Sequence, residues 1–179
     1  IANFSNMEGA FLTTPVARGD GPTAELPYGP DASLPVQVEA WTQGRDVTAL
    51  VVLKDGEIVH ESYYKGTTAD DLRISWSVAK SYLSALVGVL LDEGVIGSID
   101  DPVVQYAPAL EGGAYASATI RNVLQMSSGV VFNEDYLDQS SDINRMGRVL
   151  ALGGSMDDFA ADLSETFAPA GVQWTYVSI

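Results

Sequence analysis

The chain has 179 residues, 46% of them hydrophobic, which suits a single core rather than two. Its 24 acidic residues against nine basic ones give a formal net charge of -15, the opposite of the footprint that nucleic acid or anionic lipid requires. There is no cysteine, which excludes thiol nucleophiles, disulfides and thiolate-bound metals, and no apolar run reaches the roughly 18 residues of a membrane span.

The acidity speaks first to solubility, and attraction of cationic substrates is the lesser reading. Residues 1–35 are rich in Gly, Pro, Thr and Asn without helical or strand periodicity, as in TTPVARGDGPTAELPYGP. They read as an extended N-terminal arm wrapped on a domain that runs over residues 36–179.

In VTALVVLKDGEIVHESYY, two runs rich in Val, Ile and Tyr are joined by Asp55-Gly56, the dipeptide of tight hairpin turns. This predicts an antiparallel hairpin. A lone hairpin is marginal in water, so the strands are expected to join a larger sheet.

RISWSVAKSYLSALVGVLLDEG, from Arg73 to Gly94, carries apolar side chains on every face and predicts a buried helix. Ser77 and Lys80 lie three positions apart at its head and so share a face. A buried lysine is costly unless paired or neutral. A desolvated Lys80 could accept the serine proton, its charged form could steady an alkoxide, and the helix N-terminus adds electrostatic help. The S-x-x-K spacing alone recurs by chance, and on a helix with a polar face it would read as a serine N-cap and a snorkelling lysine.

GSIDDPVVQYAPAL offers Asp101 as N-cap and Pro102 as first helical residue of a short helix ending before Pro108. SATIRNVLQMSSG predicts another, with Ile120, Val123, Leu124 and Met126 inward, Thr119 or Ser117 capping it and Gly129 ending it. FNEDYLDQSSDIN reads as a polar loop, since its acids depart from calcium-loop spacing. Ser155 with Asp158 approximates a capping box opening MDDFAADLSETF, where Met156, Phe159 and Leu163 form an apolar stripe. APAGVQWTYVSI gives a turn at Pro169–Gly171 and a short extended run. Tyr176 in that run is either a strand aromatic or a third proton-transfer group beside the Ser77–Lys80 pair.

A hairpin followed by helices, with too few strands to finish a sheet, indicates an α+β protein. Neither G-x-S-x-G, H-E-x-x-H, a P-loop nor G-x-G-x-x-G occurs. The sole histidine, His60, sits in the hairpin beside Glu61 and Ser62 and reads as a partly exposed strand residue.

SWSVAKS ahead of an apolar helix, DEGVIGSIDDPVVQYAPAL, TIRNVLQMSSGVVFNEDY and FAPAGVQWTYVS together resemble the serine β-lactamase-like superfamily, which has the class C β-lactamase and penicillin-binding-protein fold. Within it the resemblance is greatest to the nylon-oligomer (6-aminohexanoate-dimer) hydrolases and related esterases, and it covers nearly everything after Val47. It implies an α+β fold of antiparallel sheet plus helical region, represented by its N-terminal part. Ser77 then corresponds to the acylated nucleophile, Lys80 to its motif partner, and Tyr176 to the tyrosine of the Y-x-N motif. Ser178 stands where class C enzymes and penicillin-binding relatives have asparagine, which favours the hydrolase and esterase branch. Tyr136 matches a loop tyrosine that closes over the amide substrate.

The third motif of the superfamily, a Lys-Thr-Gly or similar triad, has no counterpart up to Ile179. The resemblance therefore implies a complementing C-terminal segment or chain that supplies further strands and an oxyanion donor, and little activity without it. It also implies a small amide or ester substrate and no metal or organic cofactor. A non-catalytic sensor domain of the same fold, acylated without turnover, is the alternative. Localisation and oligomeric state stay open.

Overall fold

The computed structural model describes residues 2–9 and 11–179. Its contacts separate two units, one ending at Ile74 and one formed by Ser75–Ile179.

The first unit is built on the expected hairpin. Strand β1 (Ala49–Lys54) pairs antiparallel with β2 (Glu57–Tyr63), in register from Ala49 opposite Tyr63 to Lys54 opposite Glu57, with a shift between Val52 and Leu53. Asp55 and Gly56 both have positive φ, 53° and 84°, as a two-residue turn matched to strand twist demands. No third strand joins β1 or β2 among the described residues. The outer edge of β2 is instead covered by the arm: Ile58 N–H donates to Pro27 O (2.8 Å), Gly29 N–H to Ile58 O (3.0 Å) and Ala32 N–H to Val59 O (2.7 Å). Before that contact, residues 11–27 are exposed and carry neither helix nor strand. The arm also holds two 3-10 turns at its start, Ala2–Ser5 and Met7–Gly9.

A helix that the sequence reading did not foresee, α1 (Val36–Gly44), follows Pro35 and buries Thr42, whose hydroxyl donates to Glu39 O at 2.8 Å. Its apolar residues are too sparsely placed for a helical stripe to stand out.

The second unit opens with a 3-10 turn, Trp76–Val78, which runs into α2 (Ala79–Asp92). The expectation of a buried α2 is not met. None of its residues is buried, and Tyr82 is 73% exposed, with Leu83, Leu86 and Val89 also open. Apolar composition on every face signals burial only when something packs on every face, and among the described residues nothing covers the outer side of α2.

The core of this unit lies elsewhere. Ala114, Tyr115, Ala118, Val130, Phe132, Phe159, Leu163 and Val177 cluster together, joined by partly buried Val123, Ile143, Met146, Val149 and Met156. Helix α3 (Ile120–Leu124) starts at a complete capping box: Thr119 Oγ1 accepts from Asn122 N–H (3.2 Å) and Asn122 Oδ1 accepts from Thr119 N–H (3.0 Å). Asp101 does not cap the preceding segment, which is a 3-10 turn at Val103–Gln105 entered through Pro102. Its carboxylate is occupied by Ser98 N–H (2.9 Å) and the Tyr106 hydroxyl (2.6 Å).

Helix α4 (Asp142–Ala151) replaces the end of the expected polar loop. Ser141 caps it, and Ile143, Met146 and Val149, three apart, turn one face to the core. Helix α5 (Met156–Ala161) has the expected Ser155 cap, with Asp158 N–H donating to Ser155 Oγ at 3.1 Å, and buries Phe159.

Candidate active site

Ser77 sits in the 3-10 turn at the N-terminus of α2, where the helix presents the positive end of its dipole. The residue before it, Trp76, has φ +45°, a region that bulky side chains rarely enter and that costs about 1–3 kcal/mol. Lys80 follows in the first turn of α2. The three-residue offset brings Lys80 Nζ to 3.5 Å from Ser77 Oγ, at the outer limit of a hydrogen bond.

Tyr176 arrives from the far end of the sequence. Its hydroxyl donates to Ser77 Oγ at 2.6 Å, and its ring lies under Lys80, with Nζ 5.3 Å from the ring centroid. The cation, the phenol and the serine hydroxyl therefore form one contiguous group. Lys80 is half-buried rather than buried, in keeping with the open α2.

The segment carrying Tyr176 is fixed by the loop after α3. Thr175 N–H donates to Met126 O (2.8 Å), Gly171 N–H to Ser127 O (2.7 Å), and Phe167 N–H to Gly129 O (2.9 Å). Val177, next to Tyr176, is sunk in the core. Gly129 has φ +78°, and a Cβ there would lie 2.1 Å from Ala168 O, so only glycine lets the two backbones meet. Met126, also at positive φ (54°), bends the chain toward this contact. Trp76 and Met126 escaped the sequence reading because neither type signals a left-handed backbone; Gly129, expected to end this helix, lies beyond it, since α3 stops at Leu124 with Gln125 as its C-cap.

A cleft of about 230 Å³ opens beside the group. Lys80, Leu83, Leu124, Tyr115, Val177 and Ser178 are among its lining residues, so Ser178 shares a cleft with Lys80. The Tyr115 hydroxyl donates to Ile179 O (3.2 Å), and burial pushes this phenol up to about 12, keeping it a neutral donor.

Tyr136 stands apart. It is 69% exposed on the loop between Phe132 and α4, and its side chain makes no hydrogen bond to Ser77, Lys80 or Tyr176 among the described residues. Among the same residues no group of His, Asp and Glu has the arrangement of a metal site, and no helix is long and apolar enough to cross a membrane.

Comparison with known proteins gives this geometry a context. The 6-aminohexanoate-dimer hydrolase of Paenarthrobacter ureafaciens is 31% identical over 164 residues, which are 92% of this chain and 39% of that protein. The solved structure of the "Putative 6-aminohexanoate-dimer hydrolase from Bacillus anthracis" superposes with a TM-score of 0.76 at 18% identity, covering 98% of this chain and 50% of that one. The chain thus spans half or less of the length of these relatives, and it shares the fold of the second. The family profile described as Beta-lactamase matches residues 31–178, which takes in Ser77, Lys80 and Tyr176, and the chain belongs to the beta-lactamase family of hydrolases.

Proposed function

We propose that the protein is a serine hydrolase that transfers the acyl group of small amides or esters to Ser77 and then to water. The observation that carries this reading is the 2.6 Å contact between the Tyr176 and Ser77 hydroxyls, with Lys80 set against both. A serine hydroxyl is a weak nucleophile until a neighbouring base takes its proton. Tyr176 and Lys80 form the proton-transfer unit that accepts the serine proton.

Ser77 Oγ then bonds to the substrate carbonyl carbon, and the carbonyl π pair moves to oxygen. Collapse expels the amine or alkoxide, which takes up the proton held by the Tyr176–Lys80 unit. Water, deprotonated by the same unit, attacks the Ser77 ester and releases the acid, returning the proton to Ser77. The dipole of α2 favours negative charge as it develops near the serine. Ser178 in the cleft and Tyr136 on its loop are the proposed substrate contacts. No step draws on a metal or organic cofactor.

The open face of α2 and the shorter span of the chain relative to its relatives support a complementing segment or chain as partner.

The test is hydrolysis of a p-nitrophenyl ester by the natural protein and its Ser77→Ala variant, with intact mass spectrometry during turnover. Loss of hydrolysis in Ser77→Ala and a transient acyl adduct on the wild type are expected. Undiminished hydrolysis without Ser77 would overturn the reading, and a stable adduct without turnover would place the protein among acylated sensors.

A further inference from the structure

We infer that Arg73 is a positioning residue for Ser77: its guanidinium fastens the start of the N-terminal arm to Thr67, and this tie anchors the backbone that keeps Trp76 in its strained conformation. This rests on the serine-hydrolase reading above, with Ser77 as the nucleophile.

Arg73 joins two distant segments. One terminal nitrogen, Nη1, donates to Ser5 Oγ in the first 3-10 turn of the arm, and the other, Nη2, donates to Thr67 Oγ1. Thr67 is buried, and its own N–H donates to Tyr64 O at 3.0 Å just after β2, so one end of the tie is fixed to the hairpin. Beside it the Ile74 N–H donates to Phe4 O at 3.0 Å, which pins the main chain next to the side-chain tie. Arg73 Nε is buried without a hydrogen-bond partner, and none of the ion pairs among the described residues includes Arg73. In a chain with 24 acidic residues, a guanidinium given two neutral hydroxyls in place of a carboxylate is held at a cost. What its planar fork supplies there is a link of fixed geometry.

Only Ile74, Ser75 and Trp76 separate this link from Ser77. A φ of +45° at a bulky residue persists only where its surroundings over-determine it. The Trp76 side chain, 68% exposed, supplies little of that constraint. It comes from the backbone on either side. Downstream, Val78 N–H donates to Ser75 O at 3.1 Å, and Ala79 N–H donates to the Trp76 and Ser77 carbonyls. Upstream, residues 73 and 74 are held by Ser5, Thr67 and Phe4. With that upstream anchor loosened, Trp76 relaxes toward negative φ and the Ser77 hydroxyl turns out of its alignment with Tyr176. The Arg73 side chain bonds to Ser5 and Thr67 alone among the described residues, so it acts on Ser77 through the covalent chain.

The experiment compares Arg73→Gln and Ser5→Ala in the natural protein, reading the rate at which a fluorophosphonate probe labels Ser77 alongside hydrolysis of p-nitrophenyl butyrate. Glutamine is too short to span the two hydroxyls, while alanine at Ser5 breaks the same tie and leaves the charge in place. Labelling rate and kcat should fall at least about tenfold in Arg73→Gln and at least about threefold in Ser5→Ala, with KM within about twofold of the wild type. Glycine at position 76 removes the strain that the tie maintains, so Arg73→Gln added to Trp76→Gly should lower kcat by less than about twofold further. Wild-type labelling in either single variant, or losses that multiply in the double variant, would overturn the inference. Hydrolysis and labelling that survive Ser77→Ala would bring down the serine reading instead. The tie has its own readout in amide hydrogen exchange at Ile74, which should accelerate at least about tenfold in both single variants, and unchanged exchange there would overturn it.

Discussion

The Tyr176 hydroxyl reaches Ser77 Oγ at 2.6 Å across 99 positions of sequence, and the backbone joins Thr175 N–H to Met126 O and Gly171 N–H to Ser127 O just before it. The contact is therefore a product of the fold. Its removal by Tyr176→Phe deletes one oxygen and leaves the ring under Lys80. Turnover of p-nitrophenyl esters by the natural protein should fall about 10²–10⁴-fold, as for loss of a general acid–base group, with an unchanged melting profile. A rate like that of the wild type would remove Tyr176 from proton transfer.

Trp76 gives a second prediction. Its φ of +45° places strain directly before Ser77, and its side chain is largely exposed, so little packing depends on it. Trp76→Gly should leave stability within about 1 kcal/mol of the wild type or raise it, because glycine adopts this conformation without steric cost. Ester turnover should nevertheless fall, since the strain helps fix the direction in which Ser77 is presented. Thermal unfolding and kcat on the same sample check both halves. A less stable protein with full turnover would show that Trp76 serves packing.

Much of this was legible in local sequence, and the failures share one cause. Asp55-Gly56 and the Ser155 cap were read correctly, and Thr119 was one of the two caps offered for α3, because each depends on a few adjacent residues and a fixed geometry. The Ser77–Lys80 spacing was equally local, and the helix did bring the two together. Helix α4 was missed because its acidic, polar start resembles the loop before it, although Ile143, Met146 and Val149 carry the helical spacing. Asp101 was assigned to a cap but is committed to Ser98 and Tyr106, a choice made by tertiary contact. The burial of α2 was over-read, since composition reports what a helix would tolerate and not what lies against it. That Tyr176 meets Ser77 came from the family resemblance, because no periodicity links residues so far apart.

Gly129 carries the third prediction. A methyl group there would meet Ala168 O at 2.1 Å while φ stays at +78°. Gly129→Ala must push the 168–171 backbone away, and the segment bearing Tyr176 moves with it. A loss of about 2–4 kcal/mol in stability is expected, in the range of combined overpacking and backbone strain. Activity should fall even at temperatures where the variant remains folded. Denaturant unfolding together with kcat at low temperature separates the two effects, and a variant that is as stable as the wild type would show that the loop yields more easily than the contact suggests.

The last prediction concerns alkaline pH and Tyr115. Burial raises its folded pKa to about 12 from the ordinary 10.0, so the folded state favours the neutral phenol. A group whose folded pKa is raised contributes stability that is fully present below its unfolded pKa and is lost as pH climbs through the folded one. The window for Tyr115 is therefore about pH 10 to 12, and the loss across it is up to roughly 2–3 kcal/mol. Tyr63, in the other unit, is also pushed up to about 12, chiefly by its hydrogen bond to Glu61, and Tyr28 and Tyr106 are raised as well by their hydrogen bonds to Glu61 and Asp101, so the wild type carries several such groups above pH 10. Tyr115→Phe isolates one of them. It should lower stability near neutral pH by about 1 kcal/mol, through loss of the hydrogen bond to Ile179 O, yet flatten the alkaline decline of the Ser75–Ile179 unit. Denaturant midpoints between pH 8 and 12, read alongside tyrosinate absorbance, provide the check. An identical decline in wild type and variant would mean that Tyr115 ionises no less readily in the folded protein than in the unfolded chain.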